Sequence, residues 1–203
     1  MKTKIFFFIA IMTVSISSLA CANANGASSD LRLVNQNFYG IILNGNANVY
    51  LIQGDVNSVK VIGSKQHVDE VTTKIINGNL VINTGELRNV NIYVTMNETN
   101  LLQVNGSGKI QSMSPVNADM LLLKINGSGI IQADVRTLSL GMVINGNGII
   151  YIGGMTGESF SKVKGDGKII AANLDALHAH NLSFATYTTD TRPAHKSTNG
   201  FNN

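Results

Sequence analysis

The stretch KINGSGIIQAD, from Lys124 to Asp134, places two glycines two residues apart in a segment that otherwise has the composition of a β-strand. The same pattern recurs as QVNGSGKIQ at 103–111, VINGNGIIYI at 143–152 and KVKGDGKIIAA at 162–172. The first glycines of successive copies are 21, 19 and 19 residues apart. A period of about 20 residues indicates a repeat architecture in which each structural unit stacks on the next.

Strand alternation gives each copy one apolar face and one polar face. In the copy around Gly127, Ile125 and Ile131 share a side with both glycines, whereas Asn126 and Ser128 lie on the other side. A short apolar segment precedes each copy, so that one repeat holds two strands and two turns in about 20 residues. This is the size of one coil of a β-solenoid. The pattern therefore predicts an all-β fold of stacked coils rather than an array of hairpins.

The paired glycines need a physical reason, because glycine inside a strand costs about 0.5–1 kcal/mol relative to alanine. One explanation is a corner, where the backbone bends and needs a positive φ angle or a bulge. The other is that the missing side chains let opposite backbones approach across a thin core. We favour the corner, and we favour both explanations over a phosphate-binding loop. A dinucleotide site would need a third glycine and a following helix.

Two outward columns of small polar residues form the candidate binding face. The face comprises Asn105, Asn126 and Asn145 in one column, and Ser107, Ser128 and Asn147 in the next. If the copies stack in register, the asparagine amides can hydrogen-bond along the stack. Such a face could bind polysaccharide or another protein. Solvent exposure combined with asparagine stacking explains the same pattern, and it is the interpretation we favour.

Two earlier stretches, LNGNANV at 43–49 and INGNLVI at 76–82, share the apolar-Asn-Gly core of the repeat. Together with the later copies they resemble the DUF2807 family, named "putative auto-transporter adhesin, head GIN domain". The family pattern combines an early dGxLvI-like strand with later L-x-G-x-G-x-[IV] repeats. The segments that carry the resemblance are NGNLVI (77–82), VNGSGKI (104–110), INGSGII (125–131), INGNGII (144–150) and VKGDGKI (163–169).

The resemblance implies a right-handed parallel β-helix or β-solenoid, here with coils of about 20 residues, in an exported protein of a Gram-negative bacterium. No catalytic residue is established for the family, so none is carried over to this chain. The next expected copy, LSFATYT at 182–188, lacks both glycines. We therefore expect the regular stack to end there as a cap.

The first 24 residues have the pattern of a secretory signal peptide. Lys2 and Lys4 precede an apolar segment at 5–16, which is shorter than the roughly 20 residues of a bilayer span. An A-x-A site ends at Ala24, after which we expect cleavage. Cys21, the only cysteine, follows residues in the wrong order for a lipoprotein signal. We therefore favour cleavage after Ala24 over a lipid anchor at Cys21.

The remaining chain is predicted to be one GIN-like solenoid domain at 25–190, with a disordered tail at 191–203 and no transmembrane helix. Its location would be periplasmic, outer-membrane-associated or secreted. Without Lys2 and Lys4 the formal net charge of +3 falls to about +1, and no basic run is present. We therefore predict no nucleic-acid partner, since phosphate binding needs clustered positive charge.

No constellation of residues in the sequence predicts catalysis, a cofactor or a metal site. His178 and His180 would share one face of a strand, but a zinc site needs three or four ligands and nothing nearby completes the set. Among the residues that lie between paired glycines only Asp166 is acidic, so these positions supply no pair of carboxyl groups for a glycosidase.

The predicted function is that of an exported, non-enzymatic cell-envelope or surface protein, adhesin-like, whose solenoid presents a binding face. Its partner would be a polysaccharide or a protein of the envelope or of a host surface, and its oligomeric state is left open. The alternative is a polysaccharide-binding or polysaccharide-processing β-helix protein. Aromatic side chains would favour that alternative, and the exposed candidates are Tyr50, Tyr93 and Tyr151.

Overall fold

The computed structural model describes residues 27–33, 36–87 and 89–181. The thirteen strands and one short helix of these residues are β1 (Ala27–Leu33), β2 (Gly40–Gly45), β3 (Asn48–Gln53), β4 (Ser58–Ser64), α1 (Lys65–Glu70), β5 (Thr72–Ile76), β6 (Asn79–Gly85), β7 (Asn91–Met96), β8 (Leu101–Gly106), β9 (Lys109–Ser112), β10 (Val116–Gly127), β11 (Ile130–Gly146), β12 (Ile149–Lys164) and β13 (Lys168–Asn181). Across these ranges no helix has the length and apolar character needed to span a membrane.

Several predictions fall on residues that are not described. The signal peptide at 1–24 with Cys21, the cap at 182–188 and the tail at 191–203 all lie outside the described residues. They stay predictions.

The strands that carry the asparagine-glycine motif pair in parallel and in register. β10 lies between β8 and β11, so that Asn126 is opposite Asn105 on one side and Asn145 on the other. β2 extends this first parallel run beyond β8, with Asn44 opposite Asn105. Like residues therefore stack across neighbouring strands, as the period of the sequence predicts.

Most strands of a second parallel run begin directly after a pair of glycines. This run contains β7, β3, β9 and the first halves of β11, β12 and β13. Its buried positions in register are Ile92, Val49, Ile110, Ile131, Ile150 and Ile169. β11 has 17 residues and belongs to both runs, since its first half pairs with β9 and its second half with β10. All the strands thus form one curled sheet.

The sheet is mixed rather than wholly parallel. β1 is antiparallel to β4, β4 to β7, and β5 to β6. From β8 onward, every pairing among the described residues is parallel. The all-β prediction is confirmed. A right-handed parallel β-helix with coils of about 20 residues is not confirmed as a description of the whole domain, because the N-terminal part also uses antiparallel pairing.

The first glycine of each pair forms a corner between the two runs. Gly127 has a φ angle of +123°, which L side chains rarely adopt, and a Cβ there would lie 2.7 Å from the carbonyl oxygen of Gly106. Gly129 lacks a side chain for another reason, because a Cβ would lie 2.5 Å from Cγ1 of Val104 and 2.7 Å from the oxygen of Gly108. The corner explanation is confirmed for the first glycine. At the second, the neighbouring repeat, not the opposite side of the core, leaves no room for a side chain.

The two earlier relatives of the motif have different structures. Gly45 has a φ angle of +122° and lies in register with Gly106, while Ala47 occupies the place of the second glycine. Asn77 and Gly78 instead have φ angles of 51° and 73° and join the antiparallel strands β5 and β6. Positive φ at both central residues is typical of a two-residue hairpin turn. The copy at 76–82 is therefore a hairpin and not a corner.

The core lies between the two runs and changes character along the stack. Leu123, Ile125 and Ile131 are fully buried, and burial of each such side chain contributes about 1.5–3 kcal/mol. In β12 the inward positions include the buried hydroxyl residues Ser159 and Thr156. The apolar core thus gives way to hydroxyl groups near the last described strand.

Candidate functional site

Five asparagine side chains form a continuous chain of hydrogen bonds across the outer face of the first run. This amide ladder consists, in order, of Asn83, Asn44, Asn105, Asn126 and Asn145. In each step Nδ2 of one asparagine donates to Oδ1 of the preceding one, over 2.8, 2.7, 2.7 and 2.9 Å. The predicted stacking of Asn105, Asn126 and Asn145 is confirmed, and it extends by two further residues.

The ladder asparagines use part of their hydrogen-bonding capacity on one another. An asparagine amide has two N–H donors and a carbonyl oxygen that can accept two hydrogen bonds. Asn126 donates one N–H to Asn105 and accepts from Asn145, and Asn105 also accepts a bond of 2.8 Å from Nε2 of Gln103. Asn105, Asn126 and Asn145, three of the six candidate binding residues, are therefore hydrogen-bonded to one another, and these bonds link neighbouring strands in register.

The side chains between the paired glycines form a second row along the corner. This corner ridge consists of Asn46, Ser107, Ser128, Asn147 and Asp166. Ser107, Ser128 and Asn147 are exposed, and their side chains have no hydrogen-bond partner within the described part of the chain. Backbone hydrogen bonds fix these corners, since the N–H of Ser128 donates to the Gly106 oxygen at 3.0 Å and that of Asn147 to the Gly127 oxygen at 2.9 Å. Beside Ser107, the N–H of Gly108 donates to the Gly45 oxygen at 3.0 Å. The ridge presents hydroxyl and amide groups on an ordered backbone.

A row of tyrosine and glutamine side chains crosses the outer face of the second run. This tyrosine-glutamine row consists of Tyr93, Tyr50, Gln111, Gln132 and Tyr151, each the register partner of the next. The rings of Tyr50 and Tyr93 stack with their centroids 5.0 Å apart and their planes 24° apart. Tyr151 is 39% exposed at the other end. The fold thus brings together three tyrosines that are scattered over 102 residues of sequence.

The sequence predicted that all three tyrosines are exposed, but only Tyr151 is, and Tyr50 and Tyr93 are half-buried. It did not predict the row or its two glutamines. The signal was present in the repeat itself, because Gln111, Gln132 and Tyr151 are separated by the same 21 and 19 residues as the glycines. Tyr50 could not be placed in this way, since it precedes the regular copies.

A cleft of about 510 Å³ lies beside Tyr151. Its lining includes the polar residues Gln132, Asp134 and Asn173. Gly153 is part of the same lining, and the pairing between β12 and β13 shifts register between Tyr151 and Gly153. The irregular pairing and the missing side chain at Gly153 therefore coincide with a cleft at the end of the tyrosine-glutamine row.

The histidines that could form half of a metal site lie on β13. His178 and His180 are both exposed, and the ring of His180 stacks on Phe160 with the centroids 5.2 Å apart. In the part of the chain that the structure describes, no three His, Cys, Asp or Glu residues are grouped so that they could hold a metal ion.

Several solved structures share this fold. A "putative adhesin" from Parabacteroides distasonis has a TM-score of 0.59 and 16% identity, over 76% of this chain and 77% of that chain. A "putative lipid binding protein" from the same organism has a TM-score of 0.61 and 18% identity, over 78% of each chain. A "putative adhesin" from Parabacteroides merdae has a TM-score of 0.60 and 15% identity, also over 78% of each chain. At these identities the similarity shows the fold alone.

No curated protein matches the chain. The model of one protein family matches residues 37–186, a range that includes every strand from β2 to β13, the amide ladder and the tyrosine-glutamine row. That family is described as "Putative auto-transporter adhesin, head GIN domain". The chain therefore belongs to the DUF2807 family of adhesin-like proteins.

Proposed function

We propose that the chain is an exported, non-enzymatic protein of the bacterial cell envelope or cell surface, and that it adheres to a partner through the corner ridge. The observation that carries this proposal is the exposure of Ser107, Ser128 and Asn147 on an ordered backbone. Membership of an adhesin-like family supports adhesion. The signal-peptide pattern of residues 1–24 supports export to the periplasm, the outer membrane or the medium.

The ridge is better suited to a partner than the amide ladder. Asn105, Asn126 and Asn145 each already use one N–H in a ladder bond of 2.7 to 2.9 Å, so the ladder offers a ligand fewer free groups per side chain than the ridge does. The ridge groups offer donors and acceptors that water now satisfies and that a partner can replace. Because neighbouring strands are about 4.8 Å apart, the ridge presents a small polar side chain at each of its five positions. Repetition of weak contacts raises the overall affinity for a polymeric or multivalent surface.

Adhesion is tested by measuring how much fluorescently labelled protein is retained on whole bacterial and host cells. The double variant Ser128→Lys/Asn147→Lys places bulky charged side chains on the ridge and should lower retention about tenfold. The matched control Asn97→Lys/Asn100→Lys adds the same charge at exposed positions away from the ridge and should retain wild-type binding. Equal retention of both variants would exclude the ridge, and no retention of the wild type on any cell would exclude adhesion.

The proposed location is tested separately in cells that express the full chain. Fractionation followed by protease treatment of intact cells distinguishes a surface protein, which is digested, from a periplasmic one, which is protected. Recovery in the cytoplasm would contradict export.

We further propose that the strands from β8 onward wind as a right-handed parallel solenoid. Parallel pairing at offsets of 21 and 19 residues supports this, as does the strong preference of parallel crossover connections for the right hand. A second copy of residues 128–146, inserted after Gly146, should then add one coil and leave a cooperatively folded protein. A second copy of residues 128–137 should disrupt folding, because it adds only part of a coil. Equal tolerance of both insertions would argue against stacked coils.

A second candidate function, polysaccharide binding, is favoured by the tyrosine-glutamine row. Its aromatic rings and amides lie on the second run, away from the amide ladder. Polysaccharide processing has less support, since a glycosidase needs two carboxyl groups on either side of the scissile bond and the row contains none.

A further inference from the structure

We infer that the tyrosine-glutamine row and the cleft beside Tyr151 form a binding site for an uncharged oligosaccharide chain that lies across the strands. The site is on the second run and shares no residue with the corner ridge. It rests on the second candidate function, polysaccharide binding, and gives that function a defined site and a ligand class. It is independent of the adhesion proposed for the ridge, so that either can fail without the other.

The order of the side chains matches the chemistry of a sugar chain. Tyr50 and Tyr151 stand at two ends, with Gln111 and Gln132 between them. Three strand spacings of about 4.8 Å put the two tyrosines about 14 Å apart, which is the length of a short oligosaccharide. A pyranose ring has an apolar face of C–H groups, which packs on an aromatic ring, and a rim of hydroxyl groups. Glutamine amides both donate to and accept from such hydroxyls.

The charge of the row selects the class of ligand. From Tyr93 to Tyr151 the row carries no formal charge, which suits a neutral chain. A cation in register with the row, Lys60, lies opposite Tyr93, at the end away from the cleft. The neighbouring row in register contains two lysines, Lys109 and Lys168, and continues beyond Lys109 to Asn48. Two strands separate these lysines, and they carry Ile130 and Ile149 at the same register position. An acidic polysaccharide would therefore find isolated cations rather than a continuous basic track.

Two structural features are present at the site without a ligand and favour binding, one at each end. The stacked contact with Tyr93 orients the ring of Tyr50 before any ligand arrives, and such preorganisation lowers the entropic cost of binding. At the other end, the cleft of about 510 Å³ has the size of a small-ligand site. Asp134 and Asn173 line it beside Tyr151, so that the terminal sugar would find a carboxylate and an amide for its hydroxyl groups.

The test measures the binding of cellotetraose, maltotetraose and N-acetylchitotetraose to the purified protein by titration calorimetry. The chain contains no tryptophan, so tyrosine fluorescence gives a second readout. We expect at least one of these neutral tetrasaccharides to bind, and Tyr151→Ala and Gln132→Ala each to weaken it about tenfold. The matched control is Tyr39→Ala, because Tyr39 is 40% exposed but lies outside the row. It should bind as the wild type does.

Each possible result of this experiment either supports or contradicts the proposed oligosaccharide site. Binding that persists unchanged in Tyr151→Ala, or that falls equally in Tyr39→Ala, would overturn it, as would the absence of binding to all three neutral chains. Preferential binding of the acidic chain tetragalacturonate would overturn the choice of a neutral ligand. Circular dichroism of each variant confirms that a loss of binding is not a loss of fold, since the exposed positions of Tyr151 and Gln132 make both substitutions structurally mild. The retention of labelled protein on cells, which tests the ridge, is a separate measurement and does not depend on these results.

Discussion

The Nδ2 atom of Asn126 donates a hydrogen bond of 2.7 Å to Oδ1 of Asn105, a residue 21 positions earlier in the sequence. Asn145 continues the chain with a bond of 2.9 Å to Asn126. Strand register matters here because a slip of one residue would turn every buried side chain of a strand outward. The bonds of the amide ladder form in only one strand register. They lie on the outer face of the sheet, so they add to the register preference that the apolar side chains impose on the inner face.

Asn126→Ala should therefore destabilise the protein more than Asn145→Ala. The first substitution removes two ladder bonds and the second removes one. At about 0.5–1.5 kcal/mol for each bond, we expect the free energy of unfolding to fall by about 2 and 1 kcal/mol, respectively. Urea denaturation followed by circular dichroism measures both. Ser128→Ala, an exposed change on the same repeat without a ladder bond, is the control, and equal losses in all three variants would contradict the ladder.

Gly127→Ala tests the corner between the two runs. The substitution forces a side chain onto a φ angle of +123° and brings its Cβ within 2.7 Å of a backbone oxygen. Backbone strain of this kind costs about 1–3 kcal/mol, so we expect the midpoint of urea denaturation to fall clearly. Gly63→Ala is the matched control, because a Cβ at Gly63 makes only ordinary contacts at 3.6 Å and beyond. If both variants lose equal stability, the corner geometry is not the cause.

Gly129→Ala and Ala47→Gly test the second small residue of the pair in opposite directions. At Gly129 a Cβ would lie 2.5 Å from Val104 Cγ1, so the added methyl should lower the free energy of unfolding by about 1–3 kcal/mol. The methyl group of Ala47 is already buried at the equivalent corner. Its removal should cost about 1 kcal/mol through lost burial and added chain entropy. A stabilising effect of Gly129→Ala in thermal denaturation would show that this position has room for a side chain.

Ser159→Ala is expected to stabilise the protein. The Ser159 hydroxyl is fully buried and has no hydrogen-bond partner among the described residues. Removing an unsatisfied buried hydroxyl should raise the free energy of unfolding by about 1 kcal/mol. Thr156→Val provides the contrast, because the Thr156 hydroxyl accepts from Thr137 at 2.9 Å and donates to the Glu158 oxygen at 2.8 Å. It should lose stability, and a loss in Ser159→Ala as well would reveal a partner for the serine.

The regular repeats made much of the fold predictable. Spacing alone predicted the in-register stacking of Asn105, Asn126 and Asn145 and the corner at Gly127. It also grouped INGNLVI at 76–82 with the repeat, although Asn77 and Gly78 form a two-residue hairpin turn that uses the same dipeptide. The residue two positions after the glycine separates the two cases, since it is Ala47 in the corner and Leu80 in the hairpin.

The antiparallel pairing of the N-terminal strands could not be predicted in the same way. β1 pairs with β4, and β4 with β7, through register partners such as Lys60 and Tyr93 that belong to no repeat. For the candidate surfaces, spacing placed the ridge and ladder residues correctly side by side. It could not show which amides already bind one another, because hydrogen-bond direction depends on the packed geometry.

All the hydrogen bonds of the amide ladder run in one direction, and this direction bears on the residue that follows the ladder in register. Every Nδ2–H in the ladder is directed toward the N-terminal end of the stack, so the side-chain dipoles add and leave the carbonyl oxygen of Asn145 as their negative terminus. The next register position holds Lys164 in place of a sixth asparagine. A cation complements the negative end of an aligned row of dipoles. A lysine side chain has donors but no acceptor, so Lys164 cannot accept an amide bond from a further asparagine, and the amide ladder ends at Asn145.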